Sequence, residues 1–149
     1  MNSGPVLVAS DILSLLSRGD ARVTARALAY LERHGRLTLS AVTVFERLRG
    51  YQAALREGKP FGEQLAKFRA LVASSVVLPV DESVAEQAAV VWSQAGPRAR
   101  KAIGDILIAA TASVHRLPLV TRNRRDFEPM ARCVGMDLPL VDWASDLGD

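Results

Sequence analysis

The sequence predicts a three-layer α/β/α domain built on a mainly parallel sheet of four to five strands. Short apolar runs rich in Val and Leu alternate with helical segments of ten residues or more. That is the pattern of βα units, because parallel strands need long crossovers. At 149 residues, 49% of them hydrophobic, the chain can bury one sizeable core but is too short to expect two. The sequence shows no internal repeat, low-complexity tract or linker, so residues 1–149 read as a single domain with right-handed crossovers.

The elements follow in order. Val6-Leu7-Val8-Ala9 is a short β-type run that gives way at Ser10-Asp11 to a helix through Ile12, Leu13, Leu15 and Leu16, stopping near Gly19. From Ala21 to about His34, Val23, Ala27, Leu28 and Leu31 fall at helical spacing, with Gly35 as the stop. Leu37-Thr38-Leu39 reads as a strand. Ser40 then caps a helix carrying Val42, Phe45, Leu48 and Leu55 that ends near Gly58-Lys59-Pro60. Phe61, Leu65, Phe68, Leu71 and Val72 make the next amphipathic helix, and Val76 to Val80 returns to strand character, with Pro79 marking a strand end or edge. Asp81 or Ser83 caps a helix whose inner face is Val84, Ala88, Val91 and Trp92, closed by Gly96-Pro97. A helix from about Arg98 to His115 leads to the strand Leu117 to Thr121 and the polar turn Arg122 to Asp126. Leu138 to Asp142 is a last strand, followed by an acidic tail expected to fray.

Composition narrows the chemistry. The chain has no apolar run of about 18 residues, and Met1 to Pro5 lack a signal peptide's basic flank, so a soluble, intracellular (cytoplasmic) protein is expected. Cys133 is alone, which excludes an intrachain disulfide and a cysteine-rich zinc cluster. His34 and His115 are the only histidines and leave little for a His-based metal site or a Ser-His-Asp triad. A metal here would be a hard cation held by carboxylates. Net charge is a modest +3, but all the basic residues except Lys59, Lys67 and Lys101 are Arg, the better phosphate fork. That tilts the partner expectation toward nucleic acid.

One acid stands out. In Gly104-Asp105-Ile106-Leu107-Ile108-Ala109-Ala110-Thr111-Ala112, a single carboxylate interrupts an apolar helical run. Either Asp105 sits on the solvent edge and pairs with Lys101 one turn back, or it is a metal or catalytic carboxylate. In open parallel sheets the ligand site lies beyond the carboxyl ends of the strands. Asp11 follows the first strand there, Glu46 lies early in the helix after the second, and Asp126 follows Leu119 to Thr121. Each also has an ordinary role: Asp11 as helix N-cap, Glu46 paired with Arg47 or Arg49, Asp126 as turn residue or cap. Trp92, Trp143 and Phe127 read as core or interface, and Arg122, Arg124 and Arg125 as a solvated turn that flanks a phosphate site.

These residues and spacings resemble PIN-domain ribonucleases, and within them the VapC-type toxins of bacterial toxin-antitoxin pairs. The stretches that carry the resemblance are Val6 to Leu13, Ser40 to Gly50, Gly104 to Ala112 and Thr121 to Phe127. It implies a Mg²⁺- or Mn²⁺-dependent endoribonuclease that hydrolyses RNA phosphodiesters, with structured RNA such as tRNA or rRNA as substrate. It also implies a homodimer and a cognate VapB-type antitoxin covering the site. Glu46 and Asp105 match the family's second and third metal-site acids. Asp126 matches the fourth, with Asn123 a nearby polar alternative. Ser10 and Thr121 match hydroxyl positions that help place the acids or a metal-bound water.

The first acid departs from the family, which has Asp where this chain has Ala9. Loss of a central carboxylate weakens metal binding and misplaces the attacking water, so the resemblance implies an inactive or attenuated chain. Asp11, two positions on, would share a face with residue 9 if the strand continued and would then partly substitute. A chain with three acids and no first one is either a toxin disarmed at position 9 or a catalytically silent PIN domain that binds RNA or protein. A third possibility, a nucleotide binder on a doubly wound fold, lacks any Gly-rich phosphate loop.

Overall fold

A computed structural model of the chain describes residues 4–145. The strands are β1 (Leu7–Val8), β2 (Thr38–Ser40), β3 (Val76–Leu78), β4 (Leu119–Val120) and β5 (Leu140–Val141). The helices are α1 (Ser10–Ser17), α2 (Ala21–His34), α3 (Ala41–Arg56), α4 (Gly62–Ala73), α5 (Glu82–Gln94), α6 (Pro97–Lys101), α7 (Ile103–Val114) and α8 (Arg124–Ala131). The expected frayed tail falls largely on residues 146–149, outside the described residues.

Every ladder is parallel. β4 lies between β1 and β5, with Leu7 opposite Leu119 and Leu119 opposite Leu140, while β2 pairs with β3. The sheet of four to five strands is thus present as ladders of three and two, adjoining where β1 runs beside β2.

Strand alternation produces the layers. Leu7, Ala9 and Leu119 enter a cluster with Val84 and Val91 of α5, Ile106 and Ala109 of α7, and Phe127 of α8. Val6, Val8 and Val120 point the other way, into a cluster with Ile12 of α1, Val23 of α2, Phe68 of α4 and Trp143. Each fully buried Val, Ile or Leu contributes roughly 1.5–3 kcal/mol relative to exposure, so the two clusters fix the helices on opposite faces of the strands. The core assignments of Phe127 and Trp143 hold.

Local chemistry sets the boundaries. Ser40 accepts from the Val42 N–H at 3.0 Å and opens α3, and Asp81 rather than Ser83 caps α5 through the Val84 N–H at 3.0 Å. Gly35, at φ +80°, ends α2 in a conformation most residues disfavour.

Several expectations are corrected. The helix from Arg98 to His115 is broken at Ala102 (ψ 60°) into α6 and α7. The stretch from Arg122 to Asp126 is more than a turn, because α8 begins at Arg124 and buries Phe127 and Met130; its charged composition and internal Pro129 disguise it. Trp92 is 43% and Phe45 59% exposed, so neither faces the core, and Leu28 is exposed as well. Asp11 is not the N-cap of α1: Ala9 occupies that position, and Asp11 stands in the first turn.

Candidate active site

Four acids reach the carboxyl-end rim of the strands from four helices. Asp11 comes from the first turn of α1, Glu46 from α3, Asp105 from the first turn of α7, and Asp126 from the first turn of α8. Each helix follows a strand or, for α7, leads into one, so strand ends bring together groups up to 115 positions apart in the chain.

The Ser10 hydroxyl donates to Glu46 Oε1 at 3.3 Å, joining α1 to α3. The other oxygen, Oε2, lies over Gly104, where a Cβ would collide with it. Absence of a side chain at 104 thus lets the Glu46 carboxylate rest beside Asp105. The ordinary pairings of Glu46 do not form: Arg47 donates to Ser14 Oγ at 2.9 Å and to the Tyr51 hydroxyl at 2.8 Å, and Arg49 lies over the Phe45 ring.

Asp105 has no hydrogen-bond or ion-pair partner among the described residues, Lys101 included. Its carboxyl is pushed up from 3.8 to about 6, first by burial and then by the negative charges of Glu46, Asp126 and Asp11. All three other acids therefore act on Asp105, and a cation placed among them would relieve the repulsion.

Asp11 and Asp126 are already engaged. Thr121, fully buried at the end of β4, donates its hydroxyl to Asp11 Oδ1 at 3.0 Å, and the Arg122 N–H donates to Oδ2 at 2.9 Å. The Asn123 N–H in turn donates to Thr121 Oγ1 at 3.0 Å. Asn123 Nδ2 donates to Asp126 Oδ2, and Arg98 Nη2 stands against Asp126 Oδ1, both at 3.0 Å.

Among the described residues, no three His, Cys, Asp or Glu side chains converge tightly enough to hold a metal ion between them. The donor chemistry nevertheless suits a hard cation, because every group offered is a carboxylate oxygen. Mg²⁺ commonly takes only one or two carboxylates and keeps its waters. Glu46 and Asp105 fit that description, and the Gly104 cradle keeps their carboxylates together. Both line a cleft of about 560 Å³ whose wall also carries Phe45, Arg49, Lys101 and Ile103. A second cleft of about 200 Å³ holds Asp126 between Arg98 and Arg125, and Ala102 borders both.

Sequence reasoning missed Arg98 and the part played by Gly104. A glycine beside the candidate acid in a helix was a visible signal for Gly104. Arg98 gave none, since its partner is 28 positions away.

Parallel strands ending in a rim of carboxylates define an α/β domain with an acidic, cation-suited site. The chain belongs to the PIN domain family, whose family model matches residues 6–132, and PIN domains are generally nucleases. VapBC-1 from nontypeable Haemophilus influenzae is similar at 19% identity and a TM-score of 0.71, over 95% of this chain and 100% of that one. DNA-bound VapBC from Salmonella typhimurium shares 22% identity at a TM-score of 0.70, over 93% and 98%. FitAcB from Neisseria gonorrhoeae shares 25% at 0.67, over 91% and 95%. The first two likenesses show a common fold. No curated protein matches the chain. Among the described residues, no helix is long and apolar enough to cross a membrane.

Proposed function

We propose that the chain is an endoribonuclease toxin of the VapC type, attenuated by Ala9, that hydrolyses RNA phosphodiesters with a carboxylate-bound Mg²⁺ or Mn²⁺. The observation that carries this reading is the raised Asp105 carboxyl, with Glu46, Asp126 and Asp11 acting on it at the strand ends of a PIN domain. Three like charges gathered around a half-buried acid are costly without a cation, which is the usual arrangement of a metal-assisted site.

Glu46 and Asp105 would hold the ion. When bound, such a cation acidifies a water and neutralises charge on the phosphodiester. The Ser10 hydroxyl fixes the orientation of Glu46, and Thr121 holds Asp11 and the turn before α8, which sets Asp126 and Asn123 at the rim. Arg49 and Lys101 supply positive charge to the cleft wall, where an RNA backbone would lie. Structured RNA such as tRNA or rRNA is the substrate class, and the protein works in the cytoplasm. The similar structures include toxin-antitoxin complexes, which supports a VapB-type antitoxin as partner; a homodimeric toxin is part of the same proposal and rests on the family resemblance alone.

The test is cleavage of a cellular RNA pool with Mn²⁺ or Mg²⁺, with and without chelator. Ala9→Asp is expected to cut where the unsubstituted chain cuts weakly or not at all, and Ala9→Asp combined with Asp105→Asn is expected to lose the gain. A folded, metal-binding Ala9→Asp protein that cuts nothing would favour the second reading, a silent PIN domain serving as an RNA- or protein-binding module. That reading draws support from Ala9 itself and from the lack of three converging ligands among the described residues.

A further inference from the structure

Helix α6 packs three cations into five residues, and two of them have contrasting roles. Arg100 is a strut. Its Nε donates to the Trp92 carbonyl at 3.1 Å, its Nη2 to the Ser93 carbonyl at 3.2 Å, and its guanidinium lies 4.3 Å from the centroid of the Trp92 ring. Those contacts tie α6 to the end of α5, so Arg98 projects from a fixed support. Arg98 itself is 63% exposed, and the contact it makes is with Asp126, whose side chain is 26% exposed.

An ion pair whose guanidinium stands mostly in solvent is weak, so exchanging one anion for another costs little. The guanidinium fork matches a phosphate as well as a carboxylate. Arg125 lines the same cleft, and Lys101, on the far side of Ala102, lines the next one. Cations therefore border the acidic rim on both sides, an arrangement that suits a chain of regularly spaced phosphates.

We propose that Arg98 is a phosphate-binding residue of the RNA site, held on Asp126 until an RNA backbone takes its place. The assignment rests on the reading of this domain as one that acts on RNA. In its resting position Arg98 covers one oxygen of Asp126. Contact with a phosphate frees that oxygen toward the rim, so occupancy by RNA and exposure of the acid are coupled.

The test measures binding without cleavage. The full chain and its Arg98→Ala, Arg98→Gln and Arg98→Lys variants are titrated with fluorescently labelled bulk tRNA in chelator, across a salt series. Arg69→Ala, on the exposed side of α4, serves as a control for net charge. Loss of one phosphate contact is expected to flatten the plot of log affinity against log salt by about 0.7–0.9 in Arg98→Ala and Arg98→Gln. Arg98→Lys should keep the slope, and so should Arg69→Ala. If tRNA binds and the Arg98→Ala and Arg98→Gln slopes match that of the unsubstituted chain, the proposal is overturned while the nuclease reading stands. An equal flattening in Arg69→Ala also overturns it, because the effect is then one of net charge. If the unsubstituted chain does not bind tRNA, the proposal is overturned and tRNA is removed from the substrate class of the nuclease reading.

Discussion

The Thr121 hydroxyl donates to Asp11 Oδ1 across 3.0 Å, tying the end of β4 to the first turn of α1 over 110 positions of chain. The Arg122 N–H fills the other carboxylate oxygen, so Asp11 fastens a strand end and the backbone turn that leads to Asp126. Asp11→Ala leaves a buried hydroxyl and a peptide N–H without their acceptor. We expect a loss of about 1–2 kcal/mol, at the lower end for charged hydrogen bonds because the Arg122 contact is solvent-exposed. Asp11→Asn should lose less, since its amide oxygen keeps one of the two bonds. Urea denaturation measures this, and a midpoint unchanged in Asp11→Ala would show the latch to be ornamental.

Gly104 separates stability from function. Alanine is a better helix former than glycine by up to about 1 kcal/mol, so Gly104→Ala in the first turn of α7 is not expected to lower the melting temperature. Its Cβ, however, displaces the Glu46 carboxylate from beside Asp105. Mn²⁺ affinity, read by the electron paramagnetic resonance signal of the free ion, should fall about tenfold, equivalent to 1.4 kcal/mol. Unchanged affinity in a folded Gly104→Ala protein would mean that Glu46 is not a ligand.

The pH profile should report Asp105. With its carboxyl raised from 3.8 to about 6, the folded chain retains a proton there that the unfolded chain has already released. Stability from this group is therefore full below about pH 4, declines as pH rises, and is gone above about pH 6. The difference approaches about 2 kcal/mol, less than the shift alone would give because the group is partly solvated. Asp105→Asn removes the penalty, so it should melt higher than the unsubstituted chain at pH 7.5 and no higher at pH 4. Parallel melting curves at both pH values would contradict the burial and repulsion around Asp105.

The alternation of strand and helix was legible from residue types, because Val- and Leu-rich runs and the caps Ser40 and Asp81 act locally. The break at Ala102 was not, since nothing in its neighbours distinguishes it from a helical residue. Helix α8 escaped because only Phe127 and Met130 on it are buried and Pro129 suggests a stop. Phe45 and Trp92 were assigned inward because period alone marks a face without saying what covers it. In the candidate site, Asp11, Glu46 and Asp126 could be read from their places after strands, and Asp105 from its place in an apolar helix that leads into one. Their engagements could not, because the contacts of Asp126 with Arg98 and of Asp11 with Thr121 are set by tertiary packing.

Ala9 brings two opposing effects together at one position. It is the N-cap residue of α1, with extended backbone (φ −80°, ψ 163°), no side-chain cap and 2% exposure. An Asp here can accept from the first-turn N–H groups, which is worth about 1 kcal/mol at a helix N-cap. It also adds a fifth negative charge to a rim that already raises the Asp105 carboxyl. Without divalent ions at pH 7.5, the repulsion offsets the cap, and Ala9→Asp should melt no higher than the unsubstituted chain. With Mn²⁺ the balance reverses, because a bound ion stabilises by RT ln(1 + [L]/Kd), about 2.7 kcal/mol at a hundredfold excess over Kd. The expected result is a larger Mn²⁺-induced rise in melting temperature for Ala9→Asp than for the unsubstituted chain, abolished when Asp105→Asn is added. Equal rises in both proteins would place the ion somewhere that residue 9 does not reach, and would remove the chemical reason for regarding Ala9 as the missing ligand.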